Sequence, residues 1–431
     1  MQFFKLKRVW LGLFCLLIVG LLSSCTGTRT LMMTAPNSPK GKVAAPAINA
    51  KSVSDWEQQK PHLRRAFEEQ VYGIMPKSFE TSLLSSRPIL KHDFQARIEE
   101  VQLKTSRGET YTAVLAIPKG TSNPQPVIMM ENFCPNHAVI PAEDISKPDG
   151  DYFDCSGDGV MGSIFEYFFG RYITTPPIDM IMERGYALAV IYPSATYPDN
   201  TSRFDRTTSP STQHPWGTVG AWAYQFSSLS NYLKSDPRFS KTIAYGHSRY
   251  GKSALLAAAF DETIDGAIAH QSGTGGASLS KDKKGETVED ITKAYPHWFI
   301  HNYAEGRLTI DQHQLLALIA PRPILLGNAK RDVWSDPEGA FRAAQGASTA
   351  YGLYGSDGLR QSKLTAFDPS ADISHLDKAR NPRRCQRRLA RIFRIYGRAF
   401  LSQNNGGPSR TRTCNPLLRR QVLYPVELWV L

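Results

Sequence analysis

The chain has 431 residues, 41% hydrophobic and 21% charged, a balance ordinary for a soluble globular protein and sufficient for one large domain or two average ones. Its formal charge of +12 would suggest an anionic partner if it were spread over the surface. It is not: Leu376 to Leu431 hold 13 Lys plus Arg against two Asp plus Glu, and the residues before them hold 38 basic against 37 acidic, which excludes a basic nucleic-acid-binding face on the main domain.

The chain opens with Lys5, Lys7 and Arg8, an apolar run from Val9 to Leu22, then Ser23, Ser24 and Cys25. That order of charge, apolar run and small residues is an export signal, and the run is too short for a confident membrane span. Its ending LLSSC resembles a bacterial lipobox, which implies cleavage after residue 24, a lipid on Cys25 and a membrane-anchored protein. An ordinary signal peptide is the alternative. Residues 25–55 carry mostly Thr, Pro, Ala, Lys and Asn without apolar periodicity and read as a tether to a domain spanning 56–375.

Six short apolar runs follow: YTAVLAIP, PVIMME, YALAVIYP, TIAYG, DGAIAHQ and RPILLGNA. Runs apolar on both faces, alternating with helical patterns, are what a mostly parallel sheet covered by helices requires. Val219, Trp222, Ala223, Phe226, Leu229 and Leu233 recur at helical spacing before the fourth run. Between the second and third runs lies an insertion from Cys134 to about Thr175, aromatic in GSIFEYFFGRY and expected to form part of a site wall. Export permits a disulfide between Cys134 and Cys155, the two cysteines of the main domain, but spacing does not decide between a bridge and two thiols.

The fourth run leads through Gly246-His247-Ser248-Arg249-Tyr250-Gly251 into the alanine-rich stretch KSALLAAAF. Strand, tight turn with serine, helix is the context of a nucleophile elbow, which lifts Oγ above the carboxyl edge of a sheet. Tyr250 stands where the usual motif has its second glycine, and Gly251 follows one residue later. Arg249 is a cation at a helix N-terminus, where the dipole disfavours it, and that misplacement points to function.

GHSRYGKSALL, with HQSGTGGASLS, GETVEDI, YPHWF, DQHQLLALIAPRPILL and DVWSDPEG, resembles the glucuronoyl esterases, the fifteenth family of carbohydrate esterases; FEEQVYGIMP and WGTVGAWAYQFS extend the likeness from about Trp56 to Asp368. The resemblance implies an α/β-hydrolase fold, a three-layer sandwich with a mostly parallel central sheet. It implies hydrolysis of esters between glucuronic acid on xylan and lignin alcohols, with no metal or other cofactor and no nucleic acid as partner. Ser248 is then the nucleophile, the Arg249 N–H and guanidinium stabilise the oxyanion, and Lys252, Glu286 and Trp334 contact the sugar. Lys252 lies one helical turn beyond Ser248, while a carboxylate and an indole suit sugar hydroxyls and C–H faces. The family often carries a glutamate where this chain has Gln271, which cannot serve as the charged partner of an imidazolium. Asp332, five residues after PILLG, is the acid expected instead, with Asp336 capping the helix that follows. The chain is read as a monomer.

Two other readings share this sequence. An acetyl xylan esterase would use the same machinery, and a catalytically dead carbohydrate-binding lipoprotein would explain Gln271 and a missing base. SGTGG lacks both G-x-G-x-x-G spacing and an acidic ribose partner, so it is read as a loop lining the site.

The base is the histidine of a loop after the last strand, yet beyond Leu364 the only histidine is His375. From Leu376 the chain turns arginine-rich and stops resembling the family. Back-translated from the second base of the His375 codon, the region permits I-W-I-K-P-G-T-H-G-V-V-K-E-D-W, which resembles the family's histidine loop. Its histidine would straddle the codons of Pro382 and Arg383. The expectation is that 376–431 is out of frame and that the chain as written is nearly inactive; the alternative is a divergent tail with His375 as base.

Overall fold

All six apolar runs are strands. The computed structural model describes residues 47–120, 123–150, 152, 155, 175–329 and 332–378. Among them nine strands form one sheet: β1 Thr81–Ile89, β2 Ala96–Thr105, β3 Thr110–Pro118, β4 Gln125–Glu131, β5 Ala187–Ile191, β6 Phe239–His247, β7 Gly266–His270, β8 Ile324–Ala329 and β9 Ile373–Lys378. Their order is β1-β2-β3-β5-β4-β6-β7-β8-β9. The first three pair antiparallel, β3 meets β5 antiparallel, and every pairing from β5 to β9 is parallel. This is the α/β-hydrolase architecture expected.

The alternation that makes a strand places its side chains on two cores. Val127 and Met129 of β4 enter the larger cluster, Ile128 and Met130 the smaller one on the other face. The larger core is covered by the helices Val53–Phe67, Thr218–Ser235, Arg249–Phe260, Gln312–Ala317 and Pro337–Leu353, and the smaller by Ile178–Glu183 and the short helix Asn136–Val139. Helices on both faces make the three layers.

The Thr218–Ser235 helix differs from its predicted single stripe, because 15 of its 18 residues are buried. It is wedged among β1, β4, β6 and the helix Arg249–Phe260, so its polar face is enclosed as well. Serines make that tolerable: Ser228 Oγ bonds Thr81 Oγ1 at 2.7 Å and Tyr111 Oη at 2.9 Å, and Ser230 Oγ bonds Thr242 Oγ1 at 2.8 Å.

Two domain boundaries move. The tether does not reach residue 55, because Ser52 caps the helix Val53–Phe67 by accepting the Asp55 N–H at 3.1 Å and Ile48 is already buried. That helix is mostly polar and buries only Trp56, Lys60 and Phe67, so composition alone did not reveal it. At the other end β9 runs to Lys378, three residues past the expected limit. Cys134 and Cys155 form a disulfide with Cα atoms 5.6 Å apart, which resolves the open pairing. The signal, Cys25, the stretch GSIFEYFFGRY and the chain from 379 lie outside the described residues.

His375 is a strand residue. Its Nε2 lies 2.9 Å from Asn328 Nδ2, its ring meets Phe341 edge-on at 5.5 Å, and burial pushes its pKa down to about 4. A histidine depressed when folded binds its proton more readily when unfolded, so its stabilisation is complete above about pH 6.5 and is lost as pH falls towards 4. His375→Gln should therefore flatten the acid limb of stability between those values by roughly 1–3 kcal/mol. Chemical denaturation at pH 7 and at pH 4.5 checks this; an unchanged difference between the two pH values would show that His375 does not drive the acid loss.

Candidate active site

The elbow begins with β6 ending in glycine. A Cβ at Gly246 would lie 2.0 Å from the Tyr250 carbonyl oxygen, so only glycine lets the strand turn back onto its own helix. Gly251 does the second job one residue later than the usual motif, sitting where a Cβ would come within 3.0 Å of both the Gly246 carbonyl oxygen and Ser272 Cβ. Tyr250, freed from that job, is fully buried, its ring 4.9 Å from Trp222 and stacked on Phe133 at 6.3 Å. Between them Ser248 takes φ 56° and ψ −119°, a conformation costly for a side-chain-bearing residue by roughly 1–3 kcal/mol. Its N–H donates to the His270 carbonyl at 2.8 Å, which pins the turn to β7. Its hydroxyl makes no capping hydrogen bond to the helix it begins, leaving Oγ for chemistry.

Ser248 opens into a cleft of about 620 Å³ lined also by Phe133, Tyr152, Tyr192, Asp199, Arg203, His247 and Arg249. Arg249 is held there: its Nη1 donates to Asp199 Oδ2, and its guanidinium lies over the rings of Trp298 at 4.8 Å and Tyr295 at 5.5 Å. Arg249 is the first residue of the elbow helix, directly after Ser248, and the two line the same cleft. His247, next to the nucleophile, bonds Nδ1 to Nδ1 with His270 at 2.9 Å, and burial pushes its pKa down to about 4. A second cleft of about 580 Å³, lined by Ile89, Ile117, Lys119 and Arg238 among others, lies away from the elbow and holds none of the predicted residues.

Gln271 and Asp332 meet. Gln271, at φ 49° just past β7, donates Nε2–H to Asp332 Oδ2 at 2.6 Å, while Asp332 Oδ1 accepts the Ser335 N–H at 3.3 Å. The amide donates a hydrogen bond to the carboxylate, which an ionised glutamate at this position would instead repel. Asp336 caps the Pro337–Leu353 helix through the Gly339 N–H at 2.9 Å, as expected.

Lys252, Glu286 and Trp334 come together beside this pair rather than in the Ser248 cleft. Lys252 is 3% exposed, and its Nζ donates to the Ser272 and Thr274 carbonyls at 2.5 and 2.6 Å, so it holds the SGTGG loop in shape. Burial pushes its pKa down, opposed by the Glu286 carboxylate, and burial pushes Glu286 up, opposed by Lys252. The Glu286 N–H donates to the Trp334 carbonyl at 3.0 Å, and Gly285 permits that approach, since a Cβ there would lie 2.3 Å from the same oxygen. Lys283, which sequence reasoning passed over, is buried and donates from Nζ to Thr274 Oγ1.

Sequence reasoning also gave no role to Asp199. Its Oδ1 accepts the Trp298 Nε1–H at 2.7 Å and His297 Nε2 at 2.9 Å, so one carboxylate gathers Arg249 and two residues of the motif YPHWF. That motif was visible; its partner Asp199 lies nearly a hundred residues earlier without local pattern. Among the described residues no group of three or more His, Cys, Asp or Glu is placed to hold a metal ion.

Residues 210–355 match the family model described as glucuronyl esterase, fungi. A carbohydrate esterase, MZ0003, from an unknown prokaryotic organism is 31% identical over 347 residues, covering 75% of this chain and 80% of the relative. The 4-O-methyl-glucuronoyl methylesterase 1 of Wolfiporia cocos is 31% identical over 151 residues, 31% of this chain and 37% of the fungal enzyme, so that match spans little more than a third of its length. Among solved structures, a promiscuous CE15 esterase from a marine bacterial metagenome superposes with a TM-score of 0.67 at 27% identity, covering 80% of this chain and 94% of the other.

The Gln271–Asp332 contact yields a test with a sign. Gln271→Glu would bring two carboxylates together, and one must take a proton, so its folded-state pKa is raised and the folded state binds protons more tightly than the unfolded. The variant should lose about 1–2 kcal/mol at pH 8 and regain most of it by about pH 4, below the unfolded glutamate value. Thermal unfolding at both pH values checks it; equal losses at both would show that Gln271 only packs.

Proposed function

Since the chain belongs to the glucuronoyl esterase family, a family of serine carboxylic ester hydrolases, we propose that it cleaves 4-O-methyl-glucuronoyl esters joining glucuronoxylan to lignin alcohols. The observation that carries this reading is the strained Ser248 at the mouth of a cleft it shares with Arg249. Ser248 Oγ attacks the ester carbonyl, the Arg249 N–H and guanidinium stabilise the oxyanion, the alcohol leaves, and water releases the glucuronate from the acyl-enzyme. Asp332, oriented by Gln271, is the acid that would fix the base. Lys252, Glu286 and Trp334 are assigned to the sugar by the family resemblance, and Lys252 also shapes the loop beside the cleft.

The proposal extends to the base. His375 is fully buried in mid-strand against Asn328 and Phe341, level in register with Leu326, so it does not serve Ser248. The turns after β6 and β7 and the loop after β8 all leave the same edge of the sheet as the end of β9 at Lys378. A histidine four residues beyond β9, as the shifted frame supplies, would leave that edge too. The reading therefore keeps the frame error near the His375 codon, with the chain as written almost inactive. It also keeps a lipid on Cys25 as the device that tethers the enzyme to a membrane, on the strength of LLSSC.

Benzyl glucuronate, acetylated xylan and an aryl acetate, offered to the chain as written and to the frame-restored chain, test this. The restored chain should hydrolyse benzyl glucuronate faster than acetylated xylan and should exceed the chain as written by a factor of about a thousand or more. Ser248→Ala should abolish the activity. Comparable or reversed rates on the two carbohydrates would favour an acetyl esterase, and full activity in the chain as written would end the frame-error proposal.

A further inference from the structure

Asp199 is left over from the mechanism above, although it makes the densest set of contacts in the cleft. Its Oδ2 accepts from Arg249 Nη1, and its Oδ1 accepts from Trp298 Nε1 at 2.7 Å and His297 Nε2 at 2.9 Å. Asp199 Oδ1 can only accept, so a neutral His297 carries its proton on Nε2, and its Nδ1, 3.0 Å from Thr201 Oγ1, accepts from that hydroxyl. Burial, with Arg249 and Arg206 nearby, pushes the His297 pKa down to about 4, so this ring is neutral and adds no charge. Trp298 and His297 thus fix the carboxylate, and the carboxylate fixes the guanidinium over Trp298 and Tyr295.

Among the described residues the charges lining the cleft balance: Asp149 and Asp199 stand against Arg203 and Arg249. Ester hydrolysis changes the charge of what sits there: the alkoxy group departs as the alcohol, water supplies the hydroxyl, and the resulting acid gives its proton to solvent. The acyl group enters neutral and leaves as a carboxylate. An unpaired arginine beside Ser248 would bind that product far better than the substrate, because guanidinium and carboxylate form paired, charge-assisted hydrogen bonds.

Resting on the proposed glucuronate chemistry, we infer that Asp199 sets the cleft's preference between neutral ester and anionic acid: by holding Arg249 in an ion pair, it keeps the guanidinium aimed at the oxyanion position while denying it to the carboxylate product. Among the described residues the ion pair engages Nη1, and the Arg249 side chain stays 26% exposed at the cleft, so the guanidinium keeps surface for an oxyanion. Asp199 acts through Arg249 and is a positioning residue.

Binding by the full chain as written tests this without turnover. The probes are methyl glucuronoside as its free acid and as its primary amide, a neutral and non-hydrolysed stand-in for the ester, titrated by calorimetry at pH 7.5. The parent should bind the two within about threefold of each other, whereas Asp199→Asn, which keeps an acceptor for Trp298, should bind the acid about tenfold tighter and the amide unchanged. Asp199→Glu should restore the parent ratio. Arg249→Gln, which leaves Asp199 unpaired, should bind the acid about tenfold weaker than the amide and gives an independent reading if the Asn variant does not fold. Parallel changes in both ligands, or an unchanged ratio in Arg249→Gln, would overturn the inference. A sugar-free arm separates it from the glucuronate reading: acetate, not acetamide, should shift the Arg249 Nε–H resonance in Asp199→Asn at concentrations that leave the parent unmoved. If that arm succeeds while neither sugar binds, the glucuronate reading fails and Asp199 keeps its role; equal acetate shifts in parent and variant would remove the role.

Discussion

The left-handed φ of Ser248 is the constraint from which the site is built. A residue with a side chain sits at φ 56° only if its surroundings hold it there, and three do. Gly246 lets the strand approach the carbonyl of Tyr250, the Ser248 N–H is anchored on the His270 carbonyl of β7, and Gly251 lets the new helix lie against Ser272. The elbow therefore depends on β7 as much as on its own turn. This explains why the departure from the usual glycine spacing is harmless: the close approach occurs one residue later, and the position between is used to bury Tyr250 under Phe133 and Trp222.

From that anchor the charged groups divide into two layers. In the cleft, Asp199 and Arg249 neutralise each other over a bed of Trp298 and Tyr295. Behind it, Lys252 and Lys283 are buried and Glu286 half-buried around Thr274, and their depressed and raised pKa values follow from desolvation opposed by opposite charge. The Gln271–Asp332 hydrogen bond joins the two layers, because Gln271 follows the β7 carbonyl that holds Ser248, and Asp332 begins the turn that carries Trp334. A neutral amide at this joint donates to Asp332 where an ionised glutamate would repel it.

The parallel half of the fold was legible because its strands are short, apolar on both faces and set between helices, which is a pattern a sequence prints plainly. β1 and β2 were not: β1 is exposed along most of its length at the sheet edge, so no apolar alternation marks it. β9 was hidden because its central His375 reads as polar although the fold buries it completely. In the site, Ser248, Arg249 and Asp332 were legible from local context and a resemblance, whereas Asp199 was not. It reaches Arg249 across 50 residues and His297 across 98, and no local period encodes such a meeting. The same limit applies to Lys252, assigned to the sugar by the resemblance, whose ammonium is also bonded to loop carbonyls that only the fold brings near.

The histidine question turns on the same sheet geometry. β9 pairs with β8 from Ile373 to Lys378, so His375 is fixed in register beside Leu326 and its ring is committed to Asn328 and Phe341. Moving it to the Ser248 edge would break that ladder and expose a core position. On the proposed reading the base comes from beyond Lys378, the last residue of β9, which lies at the sheet edge where Gln271 and Asp332 meet. In the written frame that continuation contains no histidine, while in the shifted frame a strand-like I-W-I-K is followed at once by P-G-T-H. On the proposed reading the two frames share only the start of β9 and part company at the His375 codon, so a frame change there would remove the base while leaving the nucleophile, the acid and their supports in place.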